Sequence, residues 1–319
     1  MIMDKTPSLQ SISARLRFKQ LVFLIALDEA GSLHQAAEQL AMTQPAATKM
    51  LHEIEVTFDA RLFVRSKRGV QANELGRCVL RYARLLQSDL AHLREEFTGV
   101  LTGKGGRLRV GAIGGALPAV VVPALTLLRE SQPALSVNLR EDTSAGLLSA
   151  LDEGRLDLAI CRITIAMQPE RYAYEMLRDE RVAVAVGPRH PLVQQSHVTL
   201  AELAGLNWIL YPSLMPLRNL LEREFQEAGL PLPEHTTETS SIFVTMLLLQ
   251  EPNHPVALLT AENMDLCVRH GLAHRLPLEI RSRTESYGIV TRRDTVLSPA
   301  AHLMVAALRQ IAPRPHTGS

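Results

Sequence analysis

Cysteine is scarce in this 319-residue chain: there are three, Cys78, Cys161 and Cys267. They lie far apart, with no CxxC and no metal-ligand spacing, which excludes a disulfide framework and reads as reduced core thiols. No apolar run approaches the ~20 residues that a membrane span needs, and no signal pattern opens the sequence. A soluble, cytoplasmic protein with no membrane partner is expected. An excess of one charge is also missing, since the formal net charge is +1, so total charge points to no partner. No Gly-x-Ser-x-Gly, no phosphate loop and no sequence-placed Cys/His pair occurs, and the histidines are scattered. Neither an enzyme nor a bound cofactor or metal is expected.

What is present is ample apolar material, 46% of residues, in a chain long enough for two or three folding units. Charge is uneven along it. From Arg61 to Arg84 there are seven basic residues against one acid, Glu74, a local footprint suited to phosphate contact. Just before this stretch, Leu33, Ala36, Ala37 and Leu40 recur on one helical face. Ser32 and Gln35 have the spacing of a capping box. A second helix opens at Thr43, a good N-cap, with Pro45 in its first turn. Its buried stripe is expected at Ala47, Leu51, Ile54 and Phe58. Gln44, Pro45, Thr48, Lys49 and His52 then fall on the opposite face. A small, polar and basic helix face suits the major groove, which admits one helix, so the pair reads as a helix-turn-helix.

The flanking segments extend this reading. Residues 1–14 look frayed, and a helix from about Leu16 to Gly31 carries Phe18, Leu21, Val22, Ile25 and Leu27. Residues 61–70 read as a short hairpin, a wing with Arg65, Lys67 and Arg68 near its tip for phosphate or the minor groove. Asn73 caps a long helix in which Val79, Ala83, Leu86, Leu90, Leu93, Phe97 and Val100 alternate four and three apart. That 3.5-residue repeat is a coiled-coil seam and implies a partner helix from another subunit. Gly99, Gly103, Gly105 and Gly106 mark a hinge.

From Arg107 strands alternate with helices, which implies right-handed crossovers and a mostly parallel sheet. Strands are expected at 108–113, 136–139 and 156–161, with helices from about Leu117 to Ser131 and from a cap at Thr143 or Ser144. A second series starts near Val182, with strands at 208–211 and 256–259 and helices near Leu200, at 217–228 and at 242–249, the last capped by Ser240 or Ser241. A final strand at 287–290 and a helix at 299–311 read as a return to the first series.

These residues together identify a resemblance. The chain resembles a LysR-type transcriptional regulator over nearly its whole length, most specifically through Ser32-Leu-(x2)-Ala-Ala-(x2)-Leu, Thr43-Gln-Pro-Ala-Ala-Thr-Lys, Ile54-Glu55, Leu62-Phe63 and Arg65. The resemblance implies an all-α winged helix-turn-helix domain (1–73) and a linker helix with hinge for dimer or tetramer formation (74–106). It further implies an α/β part of two Rossmann-like subdomains resembling a periplasmic binding protein (107–180 and 181–281, with 282–319 returning to the first). Three departures stand out. Phe58-Asp59 replaces the usual Leu-Gly, Ala72-Asn73 the usual Leu-Thr, and His52 a common Arg.

The implied partners are double-stranded DNA, a small-molecule effector and a second copy of the chain. In open α/β sheets ligands bind outside the carboxyl ends of strands. Here those ends are followed by Gly114, Gly115 and Ala116, by Thr143 and Ser144, by Arg162, by Ser213, by Thr239 and Ser240, and by Thr260. Helix starts after Gly115 and Ser240 favour an anion, and Arg162 offers a bidentate grip on a carboxylate. The C-terminal two-thirds alone would also suit a cytoplasmic solute-binding protein with a degenerate DNA-binding domain.

Overall fold

The computed structural model describes residues 7–66, 69–102, 106–213, 215–293 and 295–312. Contacts divide it into an N-terminal unit reaching Lys104, which also takes in Asp152–Arg155, and an α/β unit made of the rest.

The N-terminal unit holds α1 (Leu9–Arg15), α2 (Phe18–Ala30), α3 (Leu33–Gln39) and α4 (Gln44–Thr57), followed by β1 (Phe63–Ser66), β2 (Gly69–Ala72) and α5 (Glu74–Thr102). The helix α1 corrects the expectation of a frayed start: Ser8 Oγ accepts from Ser11 N at 3.2 Å and caps it. Phe23, Leu24 and Leu27 of α2 are fully buried, because α3, α4 and α5 all pack against this helix. A helix covered on several sides is apolar nearly all round, which is why a one-face pattern picked out Phe18, which is exposed, and passed over Phe23 and Leu24. Gly31 ends α2 in the left-handed region at φ 63°, a conformation that costs glycine nothing sterically.

The hairpin β1–β2 pairs antiparallel from Phe63↔Ala72 to Ser66↔Gly69. Val70 N donates to Gly31 O at 2.8 Å and fastens the second strand to the end of α2. Asn73 caps α5, its Oδ1 accepting from Gly76 N at 2.8 Å while its Nδ2 donates to Arg61 O at 2.7 Å. Leu80 and Ala83 root α5 in the core. Beyond them Leu86, Leu90, Leu93 and Phe97 are exposed along one stripe.

The α/β unit contains two five-stranded sheets. The first comprises β3 (Arg107–Ala112), β4 (Ser136–Glu141), β5 (Leu158–Cys161), β6 (Tyr172–Arg178) and β12 (Tyr287–Arg292), in the order β4-β3-β5-β12-β6. The second comprises β7 (Val182–Val186), β8 (Trp208–Leu210), β9 (Thr236–Glu238), β10 (Val256–Thr260) and β11 (His274–Arg275), in the order β11-β7-β10-β8-β9. The helices are α6 (Val122–Ser131), α7 (Ser144–Asp152), α8 (Leu200–Leu203), α9 (Pro216–Glu227), α10 (Ile242–Leu248), α11 (Ala261–Arg269) and α12 (Pro299–Ile311).

Both sheets are mixed rather than mostly parallel. The pairs β3·β4, β3·β5, β8·β9 and β8·β10 are parallel, and β12·β5, β12·β6, β7·β10 and β7·β11 are antiparallel. The chain leaves the first sheet after β6 and comes back at β12, so β12 lands in the first sheet antiparallel to both neighbours. In the second sheet the short central strands alternate between two cores. Val184, Val186, Trp208 and Leu210 face one side, and Ala183, Ala185, Ile209 and Leu259 the other. This is the period-2 burial of a sheet covered on both faces. The helix expected from Leu117 begins instead as a 3-10 turn at Gly114–Ala116 and a π turn at Leu117–Val121 before α6. Pro118 and Pro123, which lack a backbone N–H, lie in this stretch.

Candidate nucleic-acid interface and ligand crevice

Sequence dictates which face of α4 stays outside. Ala47 and Ile54 are fully buried, and Leu51 and Phe58 pack against the same core. Gln44, Pro45, Thr48, Lys49 and His52 are all exposed opposite them. Thr43 caps the helix, its Oγ1 accepting from Ala46 N at 3.4 Å. Thr48 Oγ1 donates back to Gln44 O at 3.0 Å, and Lys49 Nζ lies 4.0 Å from Glu53 Oε1. Ser32 stands at the N-cap of α3 as expected, but its hydroxyl makes no capping bond there, so the capping box is not formed. Gln20 instead uses the same geometry at α2, its Oε1 accepting from Arg17 N at 2.9 Å.

One residue that periodicity passed over organises this face. Glu55 is buried; its Oε1 accepts from Leu62 N at 2.8 Å and from Phe63 N at 3.3 Å, and its Oε2 from Arg61 Nη1 at 2.9 Å. One carboxylate thereby fixes the hairpin to the end of α4. Glu55 falls next to Ile54 on the buried side, and a charged residue at a buried position was the signal. Arg65 lies in β1, while Lys67 and Arg68 lie outside the described residues. Asp59, where glycine is usual in the resembled family, adopts φ 48°, so the turn keeps its left-handed shape without the residue that suits it.

Some of the strand ends of the α/β unit, those at Gly115, Ser144, Arg162 and Thr260, gather on one carboxylate, Glu180. Arg162 is buried and pairs with Glu180 through Nη2 and Oε2. Its Nε donates to Glu285 O at 3.2 Å and its backbone N to Ser144 Oγ at 3.2 Å. Glu180 lies between β6 and β7, and Glu285 lies just before β12. Arg162 therefore ties both crossing segments to the first sheet, assisted by Thr284 Oγ1 donating to Glu180 O at 2.9 Å and Ser286 Oγ to Asp179 Oδ1 at 2.6 Å. The expectation that Arg162 is free to grip a carboxylate is corrected: its charge is already taken. Burial raises the Glu180 carboxyl above its ordinary value, with the Arg162 charge opposing.

Gly114 and Gly115 lie against acids. A Cβ on Gly115 would collide with Glu180 Oε1, and one on Gly114 would sit 2.7 Å from Glu141 Oε1. Gly115 also faces Thr260 of the second sheet, whose Cγ2 is 3.1 Å from that same Cβ position. Burial foremost, then the charges of Glu180 and Glu141, raise the Tyr211 phenol above its ordinary value. Several expected ligand residues are helix caps. Thr143 Oγ1 accepts from Gly146 N at 3.2 Å, and Thr260 Oγ1 from Asn263 N at 3.3 Å. Thr239 Oγ1 accepts from Ser241 N at 3.1 Å, and Ser241, not Ser240, caps α10. Ala116 is buried, and Ser213 and Ser240 are exposed. Glu141, Glu180, Tyr211 and Glu285 were not anticipated, and no motif or spacing in the sequence marks them.

Cys161 and Cys267 are buried and Cys78 is exposed, all three unpaired; burial pushes the Cys161 thiol up to about 12. No described helix is long and apolar enough to cross a membrane. Among the described residues no His, Cys, Asp and Glu cluster has the arrangement of a metal site.

Comparison with known proteins fits both regions. Residues 18–77 match the model of the bacterial regulatory helix-turn-helix protein, lysR family, and residues 102–313 the LysR substrate binding domain. The chain is 32% identical over 299 residues to the HTH-type transcriptional regulator GbpR of Azospirillum brasilense, covering 93% of this chain and 87% of that protein. It is 27% identical to the HTH-type transcriptional regulator GalR of Pseudomonas putida, covering 92% and 73%. Among solved structures it is similar to CbnR, a LysR family transcriptional regulator (TM-score 0.65, 19% identity, 94% and 100% covered). It is also similar to full-length BenM (TM-score 0.51, 24% identity, 93% and 96% covered).

Proposed function

From the premise that this chain belongs to the LysR family of transcriptional regulators, a DNA-binding regulator with an effector-binding domain, we propose how its residues divide that work. Gln44, Pro45, Thr48, Lys49 and His52 read base edges in the major groove, and Ser32 and Thr43 contact the flanking phosphates. Arg65, Lys67 and Arg68 of the wing hold backbone or minor groove. The observation that carries this reading is the uninterrupted exposed face of α4, with the hairpin secured beside it by Glu55.

The exposed stripe of α5 has the 3.5-residue repeat that buries itself against a second copy, so we place the self-association there, as a dimer that pairs into a tetramer. Two readers then meet half-sites one helical turn apart. The effector binds where Gly114, Gly115, Ala116, Thr143, Ser144, Arg162, Ser213, Thr239, Ser240 and Thr260 edge the crevice between the two sheets, and it acts by preferring one closure state over another. Such work belongs in the cytoplasm, beside the chromosome, and we assign the chain no reaction.

The test is footprinting of the purified full chain on the DNA upstream of its own coding region, with and without small metabolites. Protection of a dyad that changes with a ligand is expected. A ligand that binds tightly yet leaves protection and bend unchanged would falsify the coupling. Absence of sequence-specific protection there and across genomic fragments would remove the reading role from α4.

A further inference from the structure

Two histidines meet at one end of the second sheet, outside the residues assigned above to DNA and effector. We propose that His190 and His254 form an acid-released latch, which holds the turns at 187–195 and 250–255 together until His190 takes up a second proton.

Strand pairing brings the two turns together. Val186 and Val256 are register partners where β7 ends and β10 begins. His190, just after β7, and His254, just before β10, therefore lie at the same end of the sheet, opposite Thr260. Their rings are 5.5 Å apart and stand edge to face. Around them the turns are closely seated. His190 N donates to Gly187 O at 3.0 Å, and Asn207 Nδ2 to Asn253 O at 3.1 Å. A Cβ on Gly187 would collide with Leu249 O at the end of α10. His254 itself is left-handed at φ 51°, a conformation that a residue with a β-carbon keeps only where its surroundings hold it.

The ring of His190 is committed to its neutral form. The residue is 5% exposed. Its Nδ1 accepts from Leu192 N at 3.1 Å and caps the 3-10 turn at Pro191–Gln194. A nitrogen that accepts carries no proton, so the ring proton is on Nε2, which is buried without a hydrogen bond among the described residues. A second proton has to go to Nδ1. There it meets the Leu192 amide donor to donor, the cap is lost, and a charge is left buried beside another imidazole. Burial first, then the charge of His254, hold His190 below its ordinary 6.5, with the His254 backbone opposing. Arg189 and Glu251 on the two turns, and Glu234 and His235 before β9, are exposed, while the charge of His197 bears on Glu202. The closed latch therefore contributes its full stability above pH 6.5 and loses it as pH falls through the lower folded value.

Hydrogen exchange of the full chain, followed by mass spectrometry between neutral and mildly acid pH, tests the latch once rates are corrected for the intrinsic pH dependence of amide exchange. Segments 192–195 and 250–254 are expected to lose protection by about fivefold on acidification, the worth of a lost cap, while β8 and α9 keep theirs. His190→Asn retains an acceptor at the cap without a ring that titrates, and its turns should stay closed throughout. His254→Asn suits the left-handed turn and removes the second charge, so its acid loss should be smaller than that of the wild type. The latch is overturned if wild-type protection does not change with pH, or if β8 and α9 open together with the turns. It is equally overturned if His190→Asn loses protection as the wild type does, or if His254→Asn leaves the acid loss unchanged.

Discussion

The two units use buried charge in opposite ways. In the N-terminal unit the side chains proposed to read DNA are exposed, and the buried carboxylate, Glu55, holds the hairpin beside the helix that presents them. In the α/β unit the buried charges, Arg162 and Glu180, tie the crossing segments to the first sheet, where we have proposed that the effector binds. Substitutions at the DNA face are therefore expected to alter recognition and spare folding, whereas those in the crevice alter both.

The sharpest way to break this contrast is Arg162→Ala. It strands Glu180 as a buried, uncompensated charge, and a loss of about 3–5 kcal/mol is expected in denaturant unfolding followed by Trp208 fluorescence. Replacing both partners, as Arg162→Met with Glu180→Leu, should cost far less. The deficit also depends on pH. Burial holds the folded Glu180 carboxyl above its ordinary value of 4.5, and removing Arg162 takes away the charge that opposes this. The folded form binds the proton more readily, so stability falls as pH rises through that window. The Arg162→Ala deficit should shrink on going from pH 7 to pH 5; a deficit that grows on acidification refutes the assignment.

Glu55→Ala comes next. It leaves the Leu62 and Phe63 amides without their acceptor, costing about 2–3 kcal/mol of the N-terminal unit by circular dichroism, and specific and random DNA should both bind less well because the wing is released. Lys49→Ala sharpens the comparison from the other side. Stability stays unchanged while binding to the preferred site loses roughly 1–3 kcal/mol and random DNA loses much less. Equal losses on both DNAs would make Lys49 a phosphate contact. The smallest effect is expected at Asp59, where replacement by glycine should raise stability by about 0.5 kcal/mol by relieving a left-handed backbone.

The same contrast governs how much could be read from residue order. Faces built from one helix repeat at fixed spacing, so the exposed face of α4 and the exposed stripe of α5 are visible as local patterns. The crevice is not local. Arg162 meets Glu180 across 18 positions and Glu285 across 123, and nothing in either neighbourhood announces the meeting. Of the strand-end residues, Gly114, Gly115, Ser144, Arg162 and Thr260 do gather, and the acids they meet, Glu141 and Glu180, come from segments that no local pattern marks. Mixed pairing was likewise hidden, because β5, β7, β10 and β12 are plain as apolar runs but a run carries no direction of pairing. Burial on several sides concealed Phe23 and Leu24.

The rooting of α5 has a mechanical consequence. Arg84 Nη2 donates to Asp28 Oδ2 at 2.6 Å, and with Leu80 and Ala83 in the core the helix cannot swivel against the reader it leaves. From Arg84 to Thr102 it projects roughly 27 Å at 1.5 Å per residue. The helix is thus a pointer on a fixed pivot. If two copies join along this helix as proposed, a tilt of some 10° between the two pointers carries one reader sideways relative to the other by about 5 Å, close to one and a half base-pair steps at 3.4 Å each. A slight change in joint angle is geared up into a change of address on the double helix.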